Sequence, residues 1–335
     1  MRTNSAGERR RRGGSRPGLA KLSETSLGAA VTALIPLTYI DSAGARQRDL
    51  VFVANNELGT IRGGVVTQPT GEFGWPVGGD GILWPDGTTI DLDTTVTNAT
   101  LDATVRGGKV YLADAVLTVY DPNTGTVEPV IASDGTVPTA QTIVTLYRDR
   151  IFLAGVTQAY YASRTGDPTK WDFGEAIEDP GAAVAGQVSI AGRMGEVVTA
   201  MIPLNDQALV IATKNTLWLL TGEPTTGSLR NVSDEIGIVS RKAWAITPDG
   251  LLCFLSNDGL YLWTPGAGAP TRLSAERVPD ELREVDTSLL TTSMAYDPTW
   301  RGFHLFLTPG TPTPGTHWWV DFEARALWPQ RFVRN

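Results

Sequence analysis

Residues 234–263 read DEIGIVSRKAWAITPDGLLCFLSNDGLYLW, three apolar runs separated by two turn signals. Trp244-Ala245-Ile246 is the first run, Leu251 to Leu255 the second and Leu260 to Trp263 the third. Pro248-Asp249-Gly250 and Asn257-Asp258-Gly259 break them. The runs are strand-sized, and Asp-Gly in a short break supplies the positive φ that tight antiparallel turns need. The stretch reads as a β-meander, and the fold depends on whether the chain repeats it.

It does. Apolar runs resembling the central one start at Leu50 (LVFVA), Lys109 (KVYLA), Arg150 (RIFLAG), Ala208 (ALVIAT), Leu251 (LLCFLS) and Gly302 (GFHLFL). Consecutively apolar strands of this kind are covered on both faces. Their separations run from 41 to 59 residues, the range of a four-stranded blade with variable loops. One meander exposes an apolar face, and stacking the next meander on it buries both. The expected fold is an all-β propeller of six blades with a basic N-terminal arm and long inter-strand loops. Residues 1–20 form the arm and 21–335 a single propeller domain, with insertions at about 63–97 and 168–195. One stretch reads as helical, Ala275 to Leu290, with Ser274 as its N-cap and Pro279 near its start.

Composition agrees with strands and turns. Of 335 residues only 19% are charged, while Gly numbers 36 and Pro 21. Ten tryptophans suit packing between sheets, and Trp218, Trp244, Trp263, Trp318 and Trp319 are expected to fill the spaces between blades. The single cysteine, Cys253, excludes an internal disulfide framework and, inside an apolar run, reads as a small core residue.

The net charge of −8 is unevenly placed. Arg2, Arg9, Arg10, Arg11, Arg12, Arg16 and Lys21 face only Glu8 within the first 21 residues, about +6, which leaves about −14 for the rest. The arm is either a solvated tail or a segment ordered against a partner, with Arg9, Arg10, Arg11, Arg12 and Arg16 as the candidate contacts to DNA or protein. Its arginines followed by Leu27 to Ile40 and Ser42-Ala43-Gly44-Ala45 imitate a secretory signal. Thr32, Pro36 and Thr38 interrupt the apolar run and the arginines stand far from it, so the segment is read as part of the protein. No run approaches the length of a membrane span, and a soluble protein is expected.

Enzymatic signatures are few. His304 and His317 are the only histidines, neither in a Cys- or His-rich setting, and no G-x-S-x-G elbow or P-loop occurs. Asp86, Asp91 and Asp93 alternate near a DG turn, a pattern shared by loop Ca²⁺ sites and by plain solvated turns. The expectation is a protein that is not an enzyme and has no cofactor and no metal.

Three segments in order carry a family resemblance. They are Arg11-Arg12-Gly13-Gly14-Ser15-Arg16-Pro17-Gly18-Leu19; then Leu146-Tyr147-Arg148-Asp149-Arg150-Ile151-Phe152-Leu153-Ala154-Gly155 with Tyr160-Tyr161-Ala162-Ser163 and Gly166-Asp167-Pro168-Thr169-Lys170-Trp171; and Gly237-Ile238-Val239-Ser240-Arg241 through Gly259-Leu260-Tyr261. Together, over about residues 11–265, they resemble the β-propeller tail proteins of tailed bacteriophages, of the nozzle, hub or DNA-stabilisation type. The resemblance implies a virion structural protein in the tail or neck, made in the host cytoplasm. It implies a homo-oligomeric ring, commonly a hexamer, stacked on portal, adaptor or other tail proteins. Such a ring extends the portal channel, retains and passes DNA with transient contacts, and touches no membrane. An acidic body fits, since a lumen of the duplex's own sign lets DNA slide. The tier, whether adaptor-proximal ring, hub or nozzle, stays open. The alternative is a secreted or surface propeller that binds or cleaves glycans, suggested by the tryptophans and the 63–97 loop.

Overall fold

The computed structural model describes residues 31–54, 57–62, 65–67, 82–83, 89–90, 102–113, 116–174, 179–190, 195–273, 282–309 and 315–330. The fold class is all-β, a six-blade β-propeller whose blades are four-stranded antiparallel sheets. Blade 1 is β1 (Val31–Ile40), β2 (Arg46–Ala54), β3 (Glu57–Arg62) and β4 (Val65–Thr67), followed by a small hairpin, β5 (Ile82–Leu83) with β6 (Thr89–Ile90). Blade 2 is β7 (Asp102–Arg106), β8 (Lys109–Ala113), β9 (Leu117–Asp121) and β10 (Thr126–Pro129). After β11 (Asp134–Gly135), blade 3 comprises β12 (Ile143–Tyr147), β13 (Arg150–Ala154), β14 (Ala159–Ala162) and, beyond β15 (Lys170–Trp171), β16 (Val184–Gln187). Blade 4 is β17 (Val198–Asn205), β18 (Ala208–Thr213), β19 (Leu217–Thr221) and β20 (Ser228–Ser233). Blade 5 is β21 (Trp244–Ile246), β22 (Leu252–Ser256), β23 (Gly259–Trp263) and β24 (Thr271–Arg272). Blade 6 is β25 (Leu290–Asp297), β26 (Gly302–Pro309), β27 (Thr316–Asp321) and β28 (Ala326–Gln330).

Each of the six apolar runs is the second strand of its blade, where neighbouring strands on both sides satisfy the backbone. The 234–263 meander is β21 to β23, with Gly250 at φ 85° in its first turn and Cys253 fully buried in β22. Burial pushes the Cys253 thiol far up, which suits a core residue.

The chain groups into two compact units. Blades 1 to 4 form one, and blades 5 and 6, with the Lys214–Leu217 corner, the other. Within the first unit the cores lie between consecutive blades. Ile35, Leu37 and Tyr39 of blade 1 meet Val110, Leu112 and Tyr120 of blade 2. Tyr111 and Leu117 of blade 2 meet Val144, Ile151 and Leu153 of blade 3. Ile143, Phe152 and Tyr160 of blade 3 meet Val198, Met201, Leu209 and Trp218 of blade 4. Within the second unit, Met294 N–H of β25 donates to the Lys242 carbonyl beside β21 (2.8 Å).

Three expectations need correction. The 63–97 stretch is only in part an insertion, because Val65–Thr67 forms the outer strand of blade 1, pairing with β3. The 168–195 stretch is only in part an excursion, because Val184–Gln187 forms the outer strand of blade 3, pairing with β14. Its glycine content, which suggested a loop, has a packing reason. A Cβ on Gly186 would stand 2.3 Å from Tyr160 Cζ, so only glycine lets the strand cross that ring. The 275–290 helix does not form over 282–290. Glu284 adopts φ 50° and its N–H donates to the Asn257 carbonyl (2.6 Å), while the Asp286 carboxylate takes the Ser288 N–H (2.9 Å) and hydroxyl (2.6 Å). A left-handed residue and a local side-chain turn outcompete the helical ladder. Residues 274–281 lie outside the described residues.

Candidate functional site

The Tyr147 to Trp171 segment singled out by the resemblance folds as one assembly. It begins with the two-residue turn Arg148-Asp149 between β12 and β13, where Tyr147 pairs with Arg150. Both turn residues are left-handed, φ 51° and 56°, which side chains other than Gly, Asn and Asp rarely accept. Contacts to both neighbouring blades hold the turn. Arg148 Nε donates to Glu223 Oε1 (2.6 Å) and Nη1 to the Asp206 carbonyl (2.5 Å), both on blade 4. Asp149 receives Arg106 of blade 2 through two bonds (2.8 and 3.0 Å). The Tyr147 hydroxyl donates to the Gly222 carbonyl (2.8 Å).

Arg150, first residue of β13, is 0% exposed. Its Nη1 donates to the carbonyls of Ser163 (3.0 Å) and Ala182 (2.5 Å), its Nη2 to that of Pro180 (2.5 Å), and Glu223 Oε2 lies 3.6 Å away. Desolvation lowers its pKa and Glu223 opposes that, so a cation surrounded by carbonyls is the consistent state. Ser163, also fully buried, accepts the Ile151 N–H (3.1 Å). Arg164 pairs with Asp179 (2.6 Å), whose carboxyl is held low by the Gly181 N–H and that guanidinium. These bonds close both ends of the excursion that leaves β14 and returns as β16.

At its tip, Asp167 Oδ1 accepts the Thr169 hydroxyl (2.7 Å) and N–H (3.0 Å), and the buried Trp171 donates Nε1–H to the Pro168 carbonyl (2.8 Å). β15 pairs in parallel with β11, tying the tip to the chain arriving from blade 2. The Thr169 bonds hold the Asp167 carboxyl below the ordinary range. A depressed folded pKa contributes stability above the unfolded value of about 3.9 and loses it as the pH falls. Asp167→Asn should therefore narrow its stability deficit against wild type below about pH 4. Thermal melts from neutral to acid pH test this, and a deficit constant with pH would rule the titration out.

The guanidinium groups of this clasp, on Arg106, Arg148, Arg150 and Arg164, are each engaged by an acid or a carbonyl. The arrangement joins blades 2, 3 and 4 and offers no open guanidinium to a phosphate. Sequence reasoning read Arg150 only as a strand start; its sign of burial is position, an arginine opening an otherwise apolar run.

Elsewhere, His304 on β26 and His317 on β27 sit diagonally across one hairpin, Nδ1 to Nε2 at 2.8 Å, with Asp297 Oδ2 3.4 Å from His304 Nε2. The sequence placed them apart; their hairpin register brings them together. Among the described residues no group of three or more His, Cys, Asp or Glu is arranged to hold a metal. Trp218, Trp263, Trp318 and Trp319 are buried as expected. Trp244 is not: it is half-buried and lines an open groove of about 610 Å³ between β21 and β25, with Lys242, Ile246, Met294, Tyr296 and Pro298. Arg9, Arg10, Arg11, Arg12 and Arg16, and Asp86, Asp91 and Asp93, lie outside the described residues.

The chain matches no protein-family model and no curated protein. Among solved structures it is similar to the computationally designed Ika8 protein, at 14% identity over 91% of this chain and 87% of that one, TM-score 0.49. It is similar to YCF48 bound to D1 peptide, at 14% identity over 94% and 86%, TM-score 0.48. It is also similar to the extracellular domain of the hybrid two component system BT4673 of B. thetaiotaomicron, at 13% identity and TM-score 0.43, where it covers 86% of itself and spans 38% of that chain.

Proposed function

We propose that this protein is a non-enzymatic structural component of a bacteriophage tail or neck, forming a ring that extends the portal channel and helps retain and pass DNA. The observation that supports this reading is the clasp. The middle stretch of the resemblance, from Arg148 to Trp171, builds one mechanical unit that joins three blades through charge-assisted bonds. A sequence likeness that includes such a unit is in part a likeness of architecture, which fits a part whose task is to hold shape under load. The acidic body supports a lumen through which DNA slides, and the basic arm supplies the contact to a partner. Replacing Arg9, Arg10, Arg11 and Arg12 together with Ala is expected to lower particle assembly or partner docking while the melting transition stays unchanged. Unchanged particle yield and infectivity would remove the arm from the proposal. Electron microscopy and peptide mapping of purified particles test the role itself, and absence from virions would overturn it.

A second reading, a secreted or surface propeller that binds or cleaves glycans, is favoured by one observation. Trp244 and Tyr296 line the open groove of the second unit, and half-exposed aromatic faces stack on sugar rings. A glycan array without hits would dismiss it.

A further inference from the structure

We infer that a cavity between the β23–β24 loop of blade 5 and the β27–β28 turn of blade 6 is an anion site that takes the phosphate group of a small molecule. The cavity measures about 250 Å³, and every residue lining it belongs to the unit made of blades 5 and 6. Leu251, Leu262 and Leu273 give it an apolar wall. Arg272 and Arg325 line it as well, with the exposed hydroxyl residues Thr264 and Thr271. Among the described residues that line it, none is acidic. On a protein whose body beyond the arm carries about −14, a cavity with two guanidinium groups and no carboxylate selects an anion.

The walls are fixed before any ligand arrives. In the β23–β24 loop the Ala267 N–H donates to the Thr264 carbonyl (3.0 Å), and the buried Trp263 donates its Nε1–H to the Gly268 carbonyl (2.8 Å). Arg272 is anchored too. Its Nη2 donates to the Asp258 carbonyl, and its Nη1 lies 3.5 Å from Asp258 Oδ2, which also accepts the Tyr261 hydroxyl (2.7 Å). Asp258 does not line the cavity, and a guanidinium carries more N–H donors than this one acid engages, so Arg272 can donate again to an oxygen inside. Arg325 is exposed in its turn and has no acid opposite it among the described residues, because Glu323 of the same turn pairs with Arg301 (3.4 Å). A phosphate monoester, with about −1.5 to −2 charges and three acceptor oxygens, uses both guanidiniums and both hydroxyls, while the leucines receive its carbon skeleton. The inference does not rest on the tail reading above.

Isothermal titration of the purified full chain with glucose 6-phosphate, inorganic phosphate, acetate and glucose, all at one ionic strength, tests this. Wild type should bind both phosphates saturably and much more tightly than acetate or glucose. Tighter binding of glucose 6-phosphate than of inorganic phosphate would assign the site to an ester, and the reverse to the free ion. Arg325 sits at φ 48°, a conformation asparagine accepts readily, so Arg325→Asn removes the cation without straining the turn. It should weaken binding at least about tenfold while the melting transition of the ligand-free chain stays unchanged. Arg272→Lys, which keeps the charge but loses the fork, should weaken it as well and gives a second reading should the other variant misfold. No saturable phosphate binding up to about 10 mM would overturn the inference. So would acetate binding as tightly as phosphate, or both variants binding as wild type does.

Discussion

Arg150→Ala is expected to destabilise the protein by about 3–5 kcal/mol, the cost of breaking a buried charge network by removing one partner. The backbone carbonyls of Ser163 and Ala182 lose this donor, that of Pro180 keeps only the Thr225 hydroxyl (3.2 Å), and Glu223 loses one of its two cations. Each buried acceptor left unpaired costs about 1–3 kcal/mol before any repacking. For a unit of this size the loss corresponds to a fall of roughly 6–20 °C in the melting midpoint. Arg150→Lys should recover little, because one ammonium cannot reproduce a planar fork serving carbonyls from two directions. Arg150→Met should not recover it either, since the Ser163 and Ala182 carbonyls stay without the guanidinium that serves them. Chemical denaturation of the three variants decides the matter. An Arg150→Met chain as stable as wild type would show that the excursion is held by other contacts.

Trp171→Ala is expected to cost a similar amount, about 3–5 kcal/mol, through a different mechanism. The indole is 0% exposed, packs with Tyr111, Val144 and Leu153 between blades 2 and 3, and fixes the Pro168 carbonyl through Nε1–H. Its removal leaves a cavity and frees the tip of the excursion, so limited proteolysis should cut near 165–172 well before the rest of the chain. The Arg150→Ala and Trp171→Ala effects should sum to more than the double variant loses, because both act on the same excursion. Additive losses, or wild-type proteolysis of Trp171→Ala, would separate tip from base and dissolve the clasp as a unit.

The residues themselves explain why some of this was legible beforehand. The central strands announced themselves because LVFVA, KVYLA, RIFLAG, ALVIAT, LLCFLS and GFHLFL are local patterns, and their structural counterparts β2, β8, β13, β18, β22 and β26 start at or within a few residues of the expected positions. Cys253 and four of the five named tryptophans followed, since apolar strands in stacked blades bury whatever they carry. The failures came where local composition had two meanings. Glycine in 168–195 suggested a loop, and Gly186 is instead the residue that lets β16 cross Tyr160. Ala275 to Leu290 has helix formers, yet Glu284 and Asp286 find better partners in Asn257 and Ser288. Trp244 looked like filler and lines a groove, because β21 is only three residues long and leaves its neighbour β25 partly uncovered.

The sequence alone determined the all-β class, the six blades and the placement of each central strand, since run length, alternation and turn chemistry are properties of neighbours along the chain. Tertiary structure decided what the charges do. Arg148 meets Glu223 at a separation of 75 residues and Arg106 meets Asp149 at 43, and nothing in either neighbourhood names the other. It also decided which residues of β1 enter the core with blade 2, because both faces are apolar in sequence and only the packing of that blade on Ile35, Leu37 and Tyr39 picks them out. A charge or a strand face acquires its role from the partner that folding brings to it, and that partner is set by blade stacking.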